Sequence, residues 1–151
     1  MNVHERLKAL GIELPKAASP VANYVPVVVT GGLAIVSGQL PMEQGRPAVI
    51  GKLGQNVESE AGIRAARLCF INILAQLEAN IGLGRVRQVL RLGGFIAASP
   101  AFTDLAKVMN GASDLAVEVF GDAGRHARST IGVAALPLDA AVEVEGMFSI
   151  A

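Results

Sequence analysis

The sequence predicts an α+β fold in which short β-runs alternate with two long helices. Three observations carry that prediction. Five β-rich runs, at 24–30, 33–37, 85–98, 129–136 and 141–149, are punctuated by Gly pairs and prolines. Two longer segments, 56–80 and 103–120, repeat their apolar residues at helical spacing. Apolar residues make up 52% of the chain, yet it holds one Tyr, five Phe and no Trp, so its core must be built from Val, Ile, Leu and Ala. That composition suits a sheet covered by Ala-rich helices.

The elements follow in order. Residues 2–10 set Val3, Leu7 and Leu10 at helical spacing among charged neighbours, and Gly11 offers a stop. A Ser/Ala-rich connector bracketed by Pro15 and Pro20 follows. The runs 24–30 and 33–37, parted by Gly31 and Gly32, have a hairpin signature. Gly38, Gln39 and Pro41 end the second run, and 42–54 has the composition of a loop with room for a short extended piece. Asn56 is the expected N-cap of a helix running to about Asn80, with little of its circumference clearly polar. Residues 85–98 form a third long strand in which Gly93 and Gly94 suggest a bulge or a close approach. Thr103 and Asp104 start the second long helix, whose apolar face carries Leu105, Val108, Met109, Ala112, Leu115 and Val119, and Gly121 stops it. The last two strands, 129–136 and 141–149, are joined by a turn at residues 137–139.

Two long helices cover only one sheet face, while runs such as VPVVV and IGVAAL are apolar on both sides. The open face therefore calls for a second copy of the chain, and a homo-oligomer is expected.

At 151 residues the chain suits one domain. Its 13 basic and 13 acidic residues give zero net charge and no basic run, so no nucleic-acid partner is expected. The single Cys69 lies in an apolar helical pattern without a basic neighbour, which fits a buried structural thiol in a reducing compartment. One Cys and two His leave too few ligands for zinc, and no metal or cofactor is expected. The N-terminus lacks a signal peptide's apolar region, and the apolar stretch at 25–36 is broken by Pro26, Thr30, Gly31 and Gly32, so a cytoplasmic protein without a membrane span is expected.

The stretch GRHARST (124–130) places Arg125, His126 and Arg128 at the mouth of a strand, and VEVE (142–145) places two carboxylates on the next. Standing alone, such residues read as solvated strand ends and a polar sheet face. They are joined by Tyr24, the IVSGQLP segment at 35–41, Asn110 in the second long helix and ALP at 135–137. In this order and spacing, from about residue 18 onward, the chain resembles the RidA/YjgF family of reactive intermediate deaminases, also called endoribonuclease L-PSP-like.

The resemblance implies a chorismate-mutase-like shape: a six-stranded mixed sheet with the two helices on one face, assembled as a homotrimer with sites in the clefts between subunits. Residues 18–151 would form that domain, and 1–17 an added N-terminal helix and connector. It implies that Arg128 grips a substrate carboxylate, for which a planar two-donor fork is suited. Glu143 falls where the family positions or activates water, Tyr24 where a tyrosine lines the cleft from the neighbouring subunit, Gly38 where backbone borders the ligand, and Asn110 where a residue steadies the cleft. The chain departs from the family at Thr130, where many members have Cys, at His126, where Pro is common, and in the extra cation Arg125. Thr130 and His126 are taken as cleft residues, His126 at its rim. Glu145 is expected to share the strand face of Glu143, and His4 to be a surface residue of the first helix.

The activity so implied is hydrolytic deamination of small 2-imino or enamine carboxylic acids to 2-keto acids and ammonia. A non-catalytic trimer that binds carboxylate metabolites in the same cleft is the alternative. Ribonuclease activity, with His126 and Glu143 as acid and base, ranks last, because a neutral chain with few aromatics offers RNA little to hold.

Overall fold

The computed structural model describes residues 1–19 and 23–151; Pro20, the second bracket of the predicted connector, lies outside the described residues. Helix α1 spans Val3–Ala9 and opens with a reciprocal cap: Glu5 N–H donates to Asn2 Oδ1 and Asn2 N–H to Glu5 Oε2, each at 2.9 Å. Its buried Leu7 docks it on the body. His4, exposed as expected, lies 2.6 Å from Glu78 through Nε2.

Strands β1 (Val27–Thr30) and β2 (Leu33–Gln39) form the predicted hairpin, and Gly31 and Gly32 both adopt the positive φ that a tight two-residue turn demands. β1 starts three residues later than predicted. Pro26 has no N–H for a ladder, although its carbonyl still accepts from Ser37 N–H at 2.9 Å. The loop's extended piece is a two-stranded ribbon, β3 (Met42–Glu43) with β4 (Arg46–Pro47).

Helix α2 spans Ser59–Asn80, and its N-cap is Glu58, not Asn56 as the sequence predicts. Asn56 Oδ1 instead accepts from Lys52 N–H at 2.7 Å and closes the preceding loop. Asn serves both purposes, so composition alone does not separate them. Strand β5 is Val86–Ala97, helix α3 Leu105–Phe120, and Gly121 stops α3 with a φ of 65°. Strand β6 is Ala127–Val133 rather than 129–136: it pairs in parallel with β5 from Arg91↔Ala127 to Ala97↔Val133, and where β5 ends the edge strand has no partner. β7 is Val142–Ile150.

The main sheet is mixed, in the order β1-β2-β7-β5-β6, with β5 and β6 parallel and the other pairs antiparallel. It has five strands among the described residues, not six. Residues 49–53, in the predicted loop, make only scattered backbone bonds to Ala97, Ser99, Asp139 and Ala141.

Side chains along β7 alternate: Val142, Val144, Phe148 and Ile150 are buried, while Glu143, Glu145, Met147 and Ser149 are half-buried on the other face. The buried row packs under Phe70, Ile73 and Leu74 of α2, which has half its residues buried, and Leu92 and Ile96 join it from β5. Each such side chain contributes about 1.5–3 kcal/mol. Gly111 lets α3 touch the backbone of α2 at Ile63, where any Cβ would collide. Cys69 is fully buried, as expected, and Sγ–H points to Val142 O at 3.5 Å; burial pushes its thiol well above the usual range.

Both long helices lie on one face. The opposite face leaves Val28, Ile35 and Ile131 exposed, in register with Met147, Phe95 and Glu143. No helix among the described residues is long and apolar enough to cross a membrane.

The turn at Pro137–Asp139 holds two consecutive non-glycine residues in the left-handed region, Leu138 at φ 57° and Asp139 at φ 56°. Asp tolerates that conformation, but for Leu it costs about 1–2 kcal/mol. The turn is anchored by Gly51 N–H donating to Asp139 O at 2.9 Å and by Lys52 Nζ, 3.6 Å from the Asp139 carboxylate.

Candidate functional site

Arg128 sits in register with buried Leu92, so its side chain leaves β6 on the helix side. There α3 receives it. Nη1 donates to Asn110 Oδ1 at 2.8 Å and to Ser113 Oγ at 3.0 Å, and Nη2 to Ala106 O at 3.3 Å. Residues 106, 110 and 113 are four and three apart, one stripe of a helix. Three of the five guanidinium donors are thus committed, and two remain. Among the described residues no carboxylate pairs with Arg128. A fixed, unneutralised guanidinium with two free donors is suited to a ligand carboxylate.

His126 supports this arrangement from one layer back. Its Nδ1 lies 2.6 Å from Gly124 O, an acceptor only, so Nδ1 carries the proton and Nε2 accepts from the Ser113 hydroxyl at 2.9 Å. The Ser113 oxygen then keeps its lone pairs for Arg128. Ser113 is the residue that sequence reasoning missed; its position one turn beyond Asn110 was the available signal. Ser113→Ala should weaken affinity for a small carboxylate ligand about five-fold, the effect of one hydrogen bond worth about 1 kcal/mol. Ser113→Thr, which keeps the hydroxyl, should restore the affinity; an equal loss in both variants would mean a packing role.

Thr130 lies two positions along β6 on the face of Arg128, and its Oγ1 is buried without a hydrogen-bond partner. Arg125 stands apart, exposed, with Nε 3.6 Å from Asp122.

Tyr24, Gly38 and Glu143 meet elsewhere, in a cavity of about 320 Å³ whose walls also include Pro26, Leu40 and Pro137. A Cβ on Gly38 would come within 2.9 Å of the Glu143 carboxyl, so only glycine leaves that carboxyl its place. Burial, and secondly the neighbouring Glu145, push the pKa of Glu143 above the ordinary carboxylate range. Glu145 shares its face, as expected, and lies 3.6 Å from Arg91. Beneath the cavity, Gln76 is buried and donates to Ala18 O at 2.7 Å and to Gln39 Oε1 at 3.3 Å.

The predicted residues therefore form two groups. Asn110, Arg128 and His126 meet against α3, with Thr130 alongside; Tyr24, Gly38 and Glu143 meet on the open face. Strand alternation puts Arg128 and Glu143 on opposite sides of one sheet, and a single chain does not bring them together. A second cavity, of about 620 Å³ at the ends of β5 and β6, contains Lys52, Ser99 and Thr103 but none of the predicted residues. Among the described residues no group of three or more His, Cys, Asp or Glu side chains could hold a metal ion.

Residues 4–149 match a family model described as "YjgF/chorismate mutase-like, putative endoribonuclease". The chain belongs to this family. It is 45% identical over 148 residues to protein TCP17 of Trypanosoma cruzi, covering 97% of this chain and 92% of that one. Protein Atu1372 of Agrobacterium tumefaciens is 47% identical, with 99% and 92% of the two chains covered and a TM-score of 0.92. A "putative endoribonuclease" of Shewanella oneidensis is 35% identical, with 99% and 100% covered and a TM-score of 0.95. At 22% identity, E. coli TdcF with bound serine shares the fold alone, with 90% and 94% covered and a TM-score of 0.65. For a YjgF-family chain, the α+β mixed sheet and the helix-covered face are thus accounted for together.

Proposed function

We propose that the protein hydrolyses small 2-imino or enamine carboxylic acids to 2-keto acids and ammonia, in a cleft that a neighbouring subunit completes. One observation carries the reading: Arg128 is held by α3 and, among the described residues, has two donors unused and no carboxylate partner. That is a receptor for a carboxylate, and TdcF, a protein of the same fold, was crystallised with serine, a carboxylate-bearing small molecule.

The chemistry needs little beyond orientation and a base. Glu143, as carboxylate, removes a proton from water while the water oxygen adds to the imine carbon and the imine nitrogen takes a proton from solvent, giving a carbinolamine. Protonated Glu143 returns its proton to that nitrogen, the C–N bond breaks with its electron pair leaving on ammonia, and the hydroxyl proton passes to solvent, leaving the keto acid. A pKa raised by burial makes Glu143 a stronger base for that step. Arg128 holds the carboxylate, fixing where the carbon stands.

Because Arg128 and Glu143 lie on opposite sheet faces, a cleft holding both needs Arg128 of one copy against the open face of another, and the family resemblance makes that assembly a homotrimer. The exposed apolar residues Val28 and Ile35 on one row of that face, and Ile131 on another, support such a contact. Mixing inactive Arg128→Ala and Glu143→Gln proteins after joint refolding tests this. Random assortment should restore about a quarter of the wild-type sites. No recovery in mixed oligomers would sink the shared cleft.

A trimeric binder of carboxylate metabolites is the second reading, favoured because α3 fixes Arg128 without help from Glu143. Calorimetric binding of keto acids with no ammonia release from imines would select it. A ribonuclease remains third, since the chain has zero net charge.

A further inference from the structure

We infer that the substrate of this cleft carries an apolar side chain of several carbons and that Leu138 is the residue selecting it. The inference rests on the proposed imine chemistry for its reaction and on separate observations for its specificity.

The first observation is the strained turn. Leu138 is held at φ 57° and ψ 22°, a conformation that β-carbon sterics disfavour. Strain of this kind persists only where surrounding structure enforces it. Here Pro137 fixes one side, and Asp139, tied to Gly51 and Lys52, fixes the other. Yet the side chain so placed fills no core: Leu138 is 65% exposed, the most exposed large apolar residue after Met1. Packing against the described residues therefore does not account for it.

The second observation is where it stands. Leu138 lines the cavity that holds Glu143, and it stands with Pro26, Leu40, Met42 and Pro137 as apolar wall. Of the polar groups in that lining, Gln39 and Gln76 are hydrogen-bonded to each other and to backbone carbonyls, and Ser19, Tyr24 and Glu143 are the others. Water activation occupies Glu143, and Arg128 takes the carboxylate, so the remaining wall meets the substrate's side chain. A volume of about 320 Å³ leaves room well beyond a methyl group. An apolar wall rewards each buried methylene and leaves a polar side chain without partners.

The test compares imines formed in place by an L-amino acid oxidase from alanine, leucine, methionine and glutamine, with semicarbazide as competing trap. The wild-type protein should prefer the leucine and methionine products over those of alanine and glutamine by roughly 10- to 200-fold in kcat/KM. Leu138→Gly removes the side chain at a position glycine adopts freely, so its Tm should hold or rise while the preference falls about ten-fold. Leu138→Asn keeps the branched four-atom shape and tolerates the left-handed backbone; it should lose the leucine preference as well. Equal turnover of all imines by the wild type, or unchanged selectivity in both variants, overturns the inference and leaves the deaminase reading standing. Unchanged selectivity with a smaller particle by light scattering would assign Leu138 to subunit contact and also overturn it. If no imine is hydrolysed, the deaminase reading fails, and calorimetry decides the inference: 4-methyl-2-oxopentanoate binding at least ten-fold tighter than pyruvate, lost in Leu138→Gly, upholds it, and equal affinities overturn it.

Discussion

Arg128→Ala should abolish protection in an assay that couples a PLP-dependent dehydratase to semicarbazide trapping, with kcat/KM falling about 30- to 4,000-fold. The range follows from the cost of removing one partner of a desolvated charge pair, about 2–5 kcal/mol, at 1.4 kcal/mol per factor of ten. Folding should survive. Arg128 lies on the edge strand β6, and its removal leaves Asn110, exposed to solvent, and Ser113, still bonded to His126, without buried orphans. Arg128→Lys is the sharper variant. An ammonium keeps the charge but not the planar fork, and it cannot bond Asn110 and Ser113 while offering two parallel donors outward. Lysine should therefore recover no more than about a tenth of the lost kcat/KM, with the defect mainly in KM. Wild-type turnover by Arg128→Lys would show that a point charge suffices, and unchanged ammonia release by Arg128→Ala would remove this residue from the site.

The elements with strong periodicity were readable directly. Gly31-Gly32 dictated a hairpin, and the stripe from Leu105 to Val119 dictated an amphipathic helix, because each depends on a few neighbouring residues. Boundaries set by distant partners were not readable. The end of β6 at Val133 depends on where β5 stops, and the N-cap at Glu58 depends on Lys52 drawing Asn56 into another bond. The scattered bridges of residues 49–53, within the expected loop, are likewise a tertiary outcome.

The candidate residues could be named one by one, with Tyr24 alone expected from a neighbouring subunit, but not divided into two groups. Strand alternation is a rule of sequence, yet applying it to Arg128 and Glu143 requires the register of β6 on β5 and of β5 on β7. Ser113 escaped notice for a related reason: a lone Ser in a helix means nothing until Arg128 and His126 are known to reach it. The strain at Leu138 has no sequence signature, since PLD is an ordinary turn tripeptide and only the backbone shows two successive left-handed residues.

Glu143→Gln separates catalysis from binding and tests the raised pKa at the same time. The amide keeps the shape but cannot accept a proton, so kcat should fall about 10²–10⁴-fold while keto-acid affinity changes little. In the wild type the base works only as carboxylate, so activity should fall as pH drops through its raised pKa. Glu145 contributes to that pKa by charge, after burial, and Glu145→Gln should move the acid limb of kcat/KM to lower pH. Stability carries the opposite sign. A carboxyl whose folded pKa lies above its unfolded value binds more protons in the native state, so stability falls as pH rises from the ordinary carboxylate value to the raised one. Above that window the penalty is fully present, and below it the penalty vanishes. Glu143→Gln should therefore melt higher than wild type at pH 7, with the difference closing toward pH ~4. A variant slower than wild type and yet more stable at neutral pH is what a base held at a cost to folding produces; equal stability across that range, or full turnover, would mean that Glu143 is a solvated face residue.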